Sequence, residues 1–148
     1  MLDEVWACLR QAGGRGGCNV MRYRDLADGR VAVEVGVEVG EALPVTGTTM
    51  MSALPAGLAA VTTYQGPYEG LDTAHQAVLR WCASAGHELT GERGEVYGDW
   101  HEDPAQLQTM VFYRLQQARP GDASVGRGAG KGGFPAAEVR WTGRIRSA

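Results

Sequence analysis

Eight aromatic side chains and two glutamates are the residues of this chain whose types and spacing suit chemistry: Tyr23, Tyr64, Tyr68, Trp81, Tyr97, Trp100, Phe112 and Tyr113, with Glu34 and Glu95. A carboxylate within an aromatic wall is a receptor for a flat organic cation, because Coulomb attraction, cation–π contact and apolar burial act on the same ligand. The blander alternatives stay open. Trp81 and Phe112 also read as core, and strand acids such as Glu34 and Glu95 also read as solvated. Other chemistries find less support. His75, His87 and His101 are scattered, and His101-Glu102-Asp103 is too compact in sequence to enclose an ion unaided, so neither a metal nor another cofactor is expected. No Ser/His/Asp set with a nucleophile elbow occurs, and Cys82 lies in an apolar helix stripe, where a thiol is inert.

The elements that must position these residues are organised around residues 53–86. Leu58 to Thr63 is a small and β-branched run bounded by Pro55–Gly57 and by Gly66–Pro67, which predicts a strand. Leu71, Ala74, Val78, Trp81, Cys82 and Ala85 then recur at three- and four-residue steps, with Asp72, Thr73, Gln76, Arg80 and Ser84 opposite, which predicts a helix over 70–85 stopped by Gly86. Leu2, Val5, Trp6 and Leu9 predict a second helix over 2–12, ended by Gly13 and Gly14. Cys18–Arg24 and Val31–Val39 read as strands joined at Asp28-Gly29. The latter carries five valines on one face and Glu34 on the other. After a loop over 87–94, Glu95–Trp100 and Gln106–Leu115 read as another strand pair around Asp103-Pro104.

These elements repeat. Helix 2–12, then Tyr23-Arg-Asp25, then residues 33–39 parallel helix 71–85, then Tyr97-Gly-Asp99, then residues 109–115. The expected fold is α+β: a duplicated strand–helix–strand–strand (SHS2-like) unit forming an antiparallel sheet with two helices on one face. The opening strand of the first copy is missing, through truncation or because another segment fills its slot. Side-by-side packing of the halves brings the strands bearing Tyr23 and Tyr97 together near a pseudo-two-fold axis, with Glu34 and Glu95 turned toward one cleft. Tyr68 and Trp100, each beside a turn at a strand end, are expected to border it.

The Leu54-Pro-Ala-Gly57 entry, the alanine-containing strand, Gly66-Pro67-Tyr68, the helix with its central Trp81 and Glu95-Val96-Tyr97 together resemble the GyrI-like small-molecule-binding domain, found also as the effector-binding half of multidrug-responsive and AraC-type regulators. The resemblance covers roughly residues 1–115. It implies a buried Glu in a drug pocket. Many relatives have Thr-Glu where this chain has Thr109-Met110, so Glu34, equivalent to Met110 in the repeat, is an alternative source of charge. The expected ligand-binding residues are therefore Tyr23, Glu34, Tyr64, Tyr68, Glu95, Tyr97, Trp100, Met110 and Phe112.

Composition bounds the remainder. With 148 residues, 44% hydrophobic and 21% charged, the chain is of one-domain length and can bury a core. Its apolar runs fall short of the roughly 18–20 residues of a spanning helix, and its N-terminus carries acids rather than a basic signal region, so neither membrane nor secretion is expected. Cys8, Cys18 and Cys82 are odd in number and form no C-x-x-C pair, which suits reduced thiols and a cytoplasmic location. Residues 116–148 hold six basic residues against two acids, net +4, leaving −7 for residues 1–115. This segment reads as a Gly/Arg-rich flexible tail, although residues 138–145 alternate well enough for one strand, and Gly126–Gly132 lacks the spacing of a phosphate loop.

The leading expectation is a stand-alone binding module for hydrophobic or cationic small molecules, serving drug sensing or sequestration. No helix-turn-helix is legible and the 1–115 region is acidic, so direct nucleic-acid binding is not expected. Whether the chain is an enzyme stays open. The resemblance extends to relatives that hydrolyse cyclopropane-containing DNA alkylators, for which Glu95 or Glu34 with Tyr97 would activate water. It extends also to gyrase inhibitors, for which the acidic surface would meet DNA gyrase; a separate regulator is a further candidate partner.

Overall fold

A computed structural model describes residues 2–54 and 56–117 and the backbone of 136–139. Helix α1 is Leu2–Gln11, followed by β1 (Gly16–Asp25), β2 (Val31–Val39), β3 (Gly57–Gln65), α2 (Leu71–Ala85), β4 (Leu89–Tyr97), β5 (Gln108–Leu115) and β6 (Ala136–Val139). The strands form one antiparallel sheet in the order β2-β1-β4-β5-β3-β6. No helix among the described residues is long and apolar enough to cross a membrane. The expectation of a flexible tail lies largely outside the described residues; Ala136–Val139 pairs with β3 as β6.

Both helices lie on one face. Leu71, Ala74, Val78 and Cys82 of α2 bury against Ala60, Val111, Tyr113 and Leu115, with Trp81 half-buried at the margin. Val5 and Leu9 of α1 bury against Val37 and Val39. Each helix follows from its three-and-four stripe, and α2 stops where Gly86 takes φ 72°, a left-handed conformation that costs glycine little. The opposite face holds a smaller cluster of Val20, Val96, Phe112 and Leu54.

The two halves follow the predicted repeat. Strands β1 and β4 lie side by side with Met21 opposite Glu95, and the equivalent residues Tyr23 and Tyr97 flank that pair. Two local expectations need correction. Strand β4 starts at Leu89 rather than Glu95 and ends at Tyr97, because Glu92 and Arg93, which look like loop residues in sequence, each find partners on opposite faces of the sheet; Gly91, at φ 88°, accompanies the register irregularity near its start. The valine face of β2 is only half packed, since α1 has 10 residues against 15 in α2 and leaves Val31 and Val33 at 44% and 48% exposure. Among the described residues no opening strand stands beside β2, in line with its expected absence from the first copy. Residues 40–54 instead wrap round: Leu43 and Met51 pack with α1, Val37 and Val39, Ser52 donates to Glu34, and Leu54 is buried on the far face.

Candidate functional site

The helices leave a cleft of about 580 Å³ above β1 and β4. Its walls come from four places: Leu2 and Trp6 on α1, Asn19 and Met21 on β1, Tyr68 in the turn before α2, and Tyr97 and Trp100 at the end of β4, with Val35 of β2 contributing. Trp6 is oriented by an Nε1–H donated to the Asn19 side-chain oxygen at 3.0 Å. Tyr68 and Tyr97 meet edge to face with centroids 5.6 Å apart, a favourable aromatic geometry. Trp100 stands at the rim, 73% exposed. Asp99 is the only charged side chain among the described lining residues.

Behind this wall lies a buried polar chain. Glu95 is 6% exposed, and its carboxylate accepts from Tyr97 at 2.5 Å and from Tyr23 at 3.3 Å, while His75 Nε2 lies 2.8 Å away. His75 Nδ1 is 2.9 Å from the Tyr113 hydroxyl. An Nε2–H tautomer satisfies both contacts, with Tyr113 donating to Nδ1. Burial pushes the Glu95 carboxyl up, but the donors His75, Tyr97 and Tyr23 outweigh it and hold the group below its ordinary value. Burial first, and then the carboxylate, push Tyr23 up to about 12 and Tyr97 higher still. Both phenols therefore stay protonated and donating at neutral pH.

A pH dependence follows. A carboxyl whose folded pKa is depressed contributes stability above its unfolded value, near 4.5, and loses that contribution as pH falls through the folded value. Wild type should therefore lose more stability on acidification through this range than Glu95→Gln, measured by urea denaturation at stepped pH; parallel curves would show that Glu95 gains nothing from its donors.

The structure gathers some of the sequence-predicted residues and separates others. Tyr68, Tyr97 and Trp100 line the cleft, with Glu95 and Tyr23 behind them. Tyr64 packs with the α2 core, its hydroxyl close to Gly66 and Gly70. Glu34, Met110 and Phe112 sit on the opposite face, so the expectation that Glu34 and Glu95 share one cleft is corrected. The valine side of β2 is the helix side, and the cleft is on it. Glu34 instead pairs with Arg22 at 3.2 Å. Sequence reasoning missed His75, Trp6, Asn19 and Met21 as parts of the site. His75 had a signal: four residues after Leu71 and three before Val78, it belongs to the buried stripe of α2. Trp6 was legible only as an apolar helix residue.

Residues 18–116, about two thirds of the chain, match the family model described as the GyrI-like small molecule binding domain. The match takes in the sheet floor, Tyr68, His75 and Glu95, but not the α1 wall. No curated protein sequence matches the chain.

Proposed function

The chain belongs to the GyrI-like small-molecule-binding domain family, and from that premise we propose that its ligands are flat, hydrophobic and cationic, and that it senses or sequesters drug-like molecules of this kind. The observation that carries the reading is the cleft itself: two indoles, two phenols and one carboxylate, with no basic side chain among the described lining residues. Its volume lies within the roughly 300–1,000 Å³ of small-molecule sites. Aromatic faces attract a cation through their quadrupoles, and Asp99 at the mouth adds long-range attraction. Sequestration needs nothing beyond this domain; sensing requires a partner chain that reads occupancy. Cys8, Cys18 and Cys82, none of them in a disulfide, suit a reducing compartment, in keeping with a cytoplasmic location.

Titration of tryptophan fluorescence with a planar cationic dye and its neutral isostere tests the proposal. The cation should bind tighter, and Asp99→Asn should weaken the cation alone by a few-fold, the scale of an exposed ion pair. Equal affinities for both dyes in wild type would refute charge selection.

A second reading has one observation behind it. The Tyr97 hydroxyl stands at the cleft wall and donates to Glu95 at 2.5 Å, so Tyr97 could accept a proton from an attacking water while passing its own to Glu95. In hydrolysis of a bound cyclopropane alkylator, the water oxygen would bond to the ring carbon as the ring C–C bond breaks, the released electron pair passing to the conjugated carbonyl oxygen of the alkylator, which is then protonated, while Glu95 keeps the proton received through Tyr97 and returns it to solvent. Appearance of a hydrated, ring-opened product, lost in Tyr97→Phe, distinguishes turnover from binding.

A further inference from the structure

The sheet has two edges, and they are treated differently. Strand β6 covers one by pairing with β3. The other is β2, which has no strand partner on its outer side among the described residues. Native edge strands are usually blunted by lysine, proline, a bulge or a covering segment. The 40–54 connection packs on the Val37–Val39 end and touches Glu34 through the Ser52 hydroxyl on the face away from the helices, but Val31-Ala32-Val33-Glu34-Val35 carries no lysine, proline or bulge, and its register with β1 is regular. Its helix-side valines are the two left uncovered by the short α1, together with Val35 in the cleft.

We infer that the Val31–Val35 edge of β2 pairs antiparallel with the same edge of a second copy, forming a two-fold dimer with a continuous sheet. The strand's own sequence selects this occupant. With the two-fold axis at Val33, Val33 faces Val33 of the other copy, Val31 faces Val35, and Ala32 faces Glu34, so no carboxylate opposes another. Glu34 is moreover tied back to Arg22 within its own subunit. Shifting the axis to Glu34 would set like charges face to face, which is destabilising. Three valines from each copy then close into one apolar strip on the helix side, and Val31 of one copy comes to rest beside Val35, a wall residue of the other's cleft. The short paired stretch buries less than the roughly 1,200 Å² of a standard interface, so the dimer is weak and concentration-dependent.

Sedimentation equilibrium over a concentration series should show the mass rising from one chain toward two. Val33→Lys sets two ammonium groups on the axis and should weaken association by roughly tenfold or more while circular dichroism and melting stay close to wild type, because Val33 is half exposed. Val33→Cys should form a disulfide-linked dimer under mild oxidation, whereas Val31→Cys and wild type, which retain the native thiols, should not. A mass of one chain at every concentration, association undiminished by Val33→Lys, or cross-linking of Val31→Cys as readily as Val33→Cys each overturns the inference.

Discussion

Arg22→Met will destabilise the protein by about 3–5 kcal/mol, the range for removing one member of a buried ion network. Arg22 is 7% exposed on the sheet face away from the cleft, where its guanidinium binds Glu34 at 3.2 Å and Glu92, and Glu92 is bound in turn by Arg114. Removing the arginine leaves Glu34 with the Ser52 hydroxyl at 3.5 Å as its remaining partner among the described residues, and strips Glu92 of one of its two cations. The cost is moderated because Glu34 and Arg114 keep about a fifth of their side-chain surface in water, and because the unpartnered Arg22 Nε is removed as well. Burial pushes the Glu92 carboxyl up, yet bonds from Arg114 and Arg22 hold it below its ordinary value. Their contribution is present above the unfolded value and disappears as pH falls through the folded one. Urea denaturation at neutral pH measures the loss. Arg22→Met combined with Glu34→Gln and Glu92→Gln should recover much of it, since no carboxylate is then left uncompensated. A loss below 1 kcal/mol in the single variant would mean that water already solvates the network.

Glu95→Gln will weaken cation binding by roughly 1–3 kcal/mol and leave a neutral isostere unaffected, the scale of a charge acting across several ångströms of protein. Glu95 acts from behind Tyr97 rather than by direct contact: its charge is separated from the cleft by one phenol, and at a distance of about 7 Å with an effective dielectric near 20 that charge is worth about 2 kcal/mol to a cation. Glutamine keeps the volume, its carbonyl oxygen accepting from His75 and its amide NH2 donating to the Tyr97 hydroxyl oxygen in place of the carboxylate, so the wall stays in place while the field is lost. Glu34→Gln is the built-in control, because Glu34 lies on the other face beside Arg22. Calorimetric titration of the three proteins with a cationic dye and its neutral isostere decides the matter. Equal weakening by both substitutions would mean that the effect arises from net charge and not from the position of Glu95.

The cleft and the network behind it differ in how far they could be read from residues alone. Leu71, Val78 and Cys82 predicted α2 because helical period is local, and Val31 to Val39 predicted β2 because alternation is local too. Glu95 and Tyr97, two apart on a strand, had to share a face, so their contact was legible before any fold. Tyr23 entered through the repeat, which sets it across the pseudo-two-fold axis from Tyr97. The start of β4 was not legible. Leu89 to Gly94 is rich in glycine and charge, and what makes Glu92 and Arg93 strand residues is a set of partners remote in sequence, Arg22, Arg114 and Asp25. Nor could the sequence tell which face of the sheet would hold the cleft. Alternation separates Glu34 from the valines of its strand but is silent on which side the helices cover; that side was decided when α1 and α2 docked on the valine face, which left Glu34 to an ion network and gave Glu95 to His75, Tyr97 and Tyr23. Local periodicity is a property of neighbours along the chain and so determined the elements, whereas these partners of buried charges are groups 20 to 72 positions away, and only tertiary packing brings them within hydrogen-bonding distance.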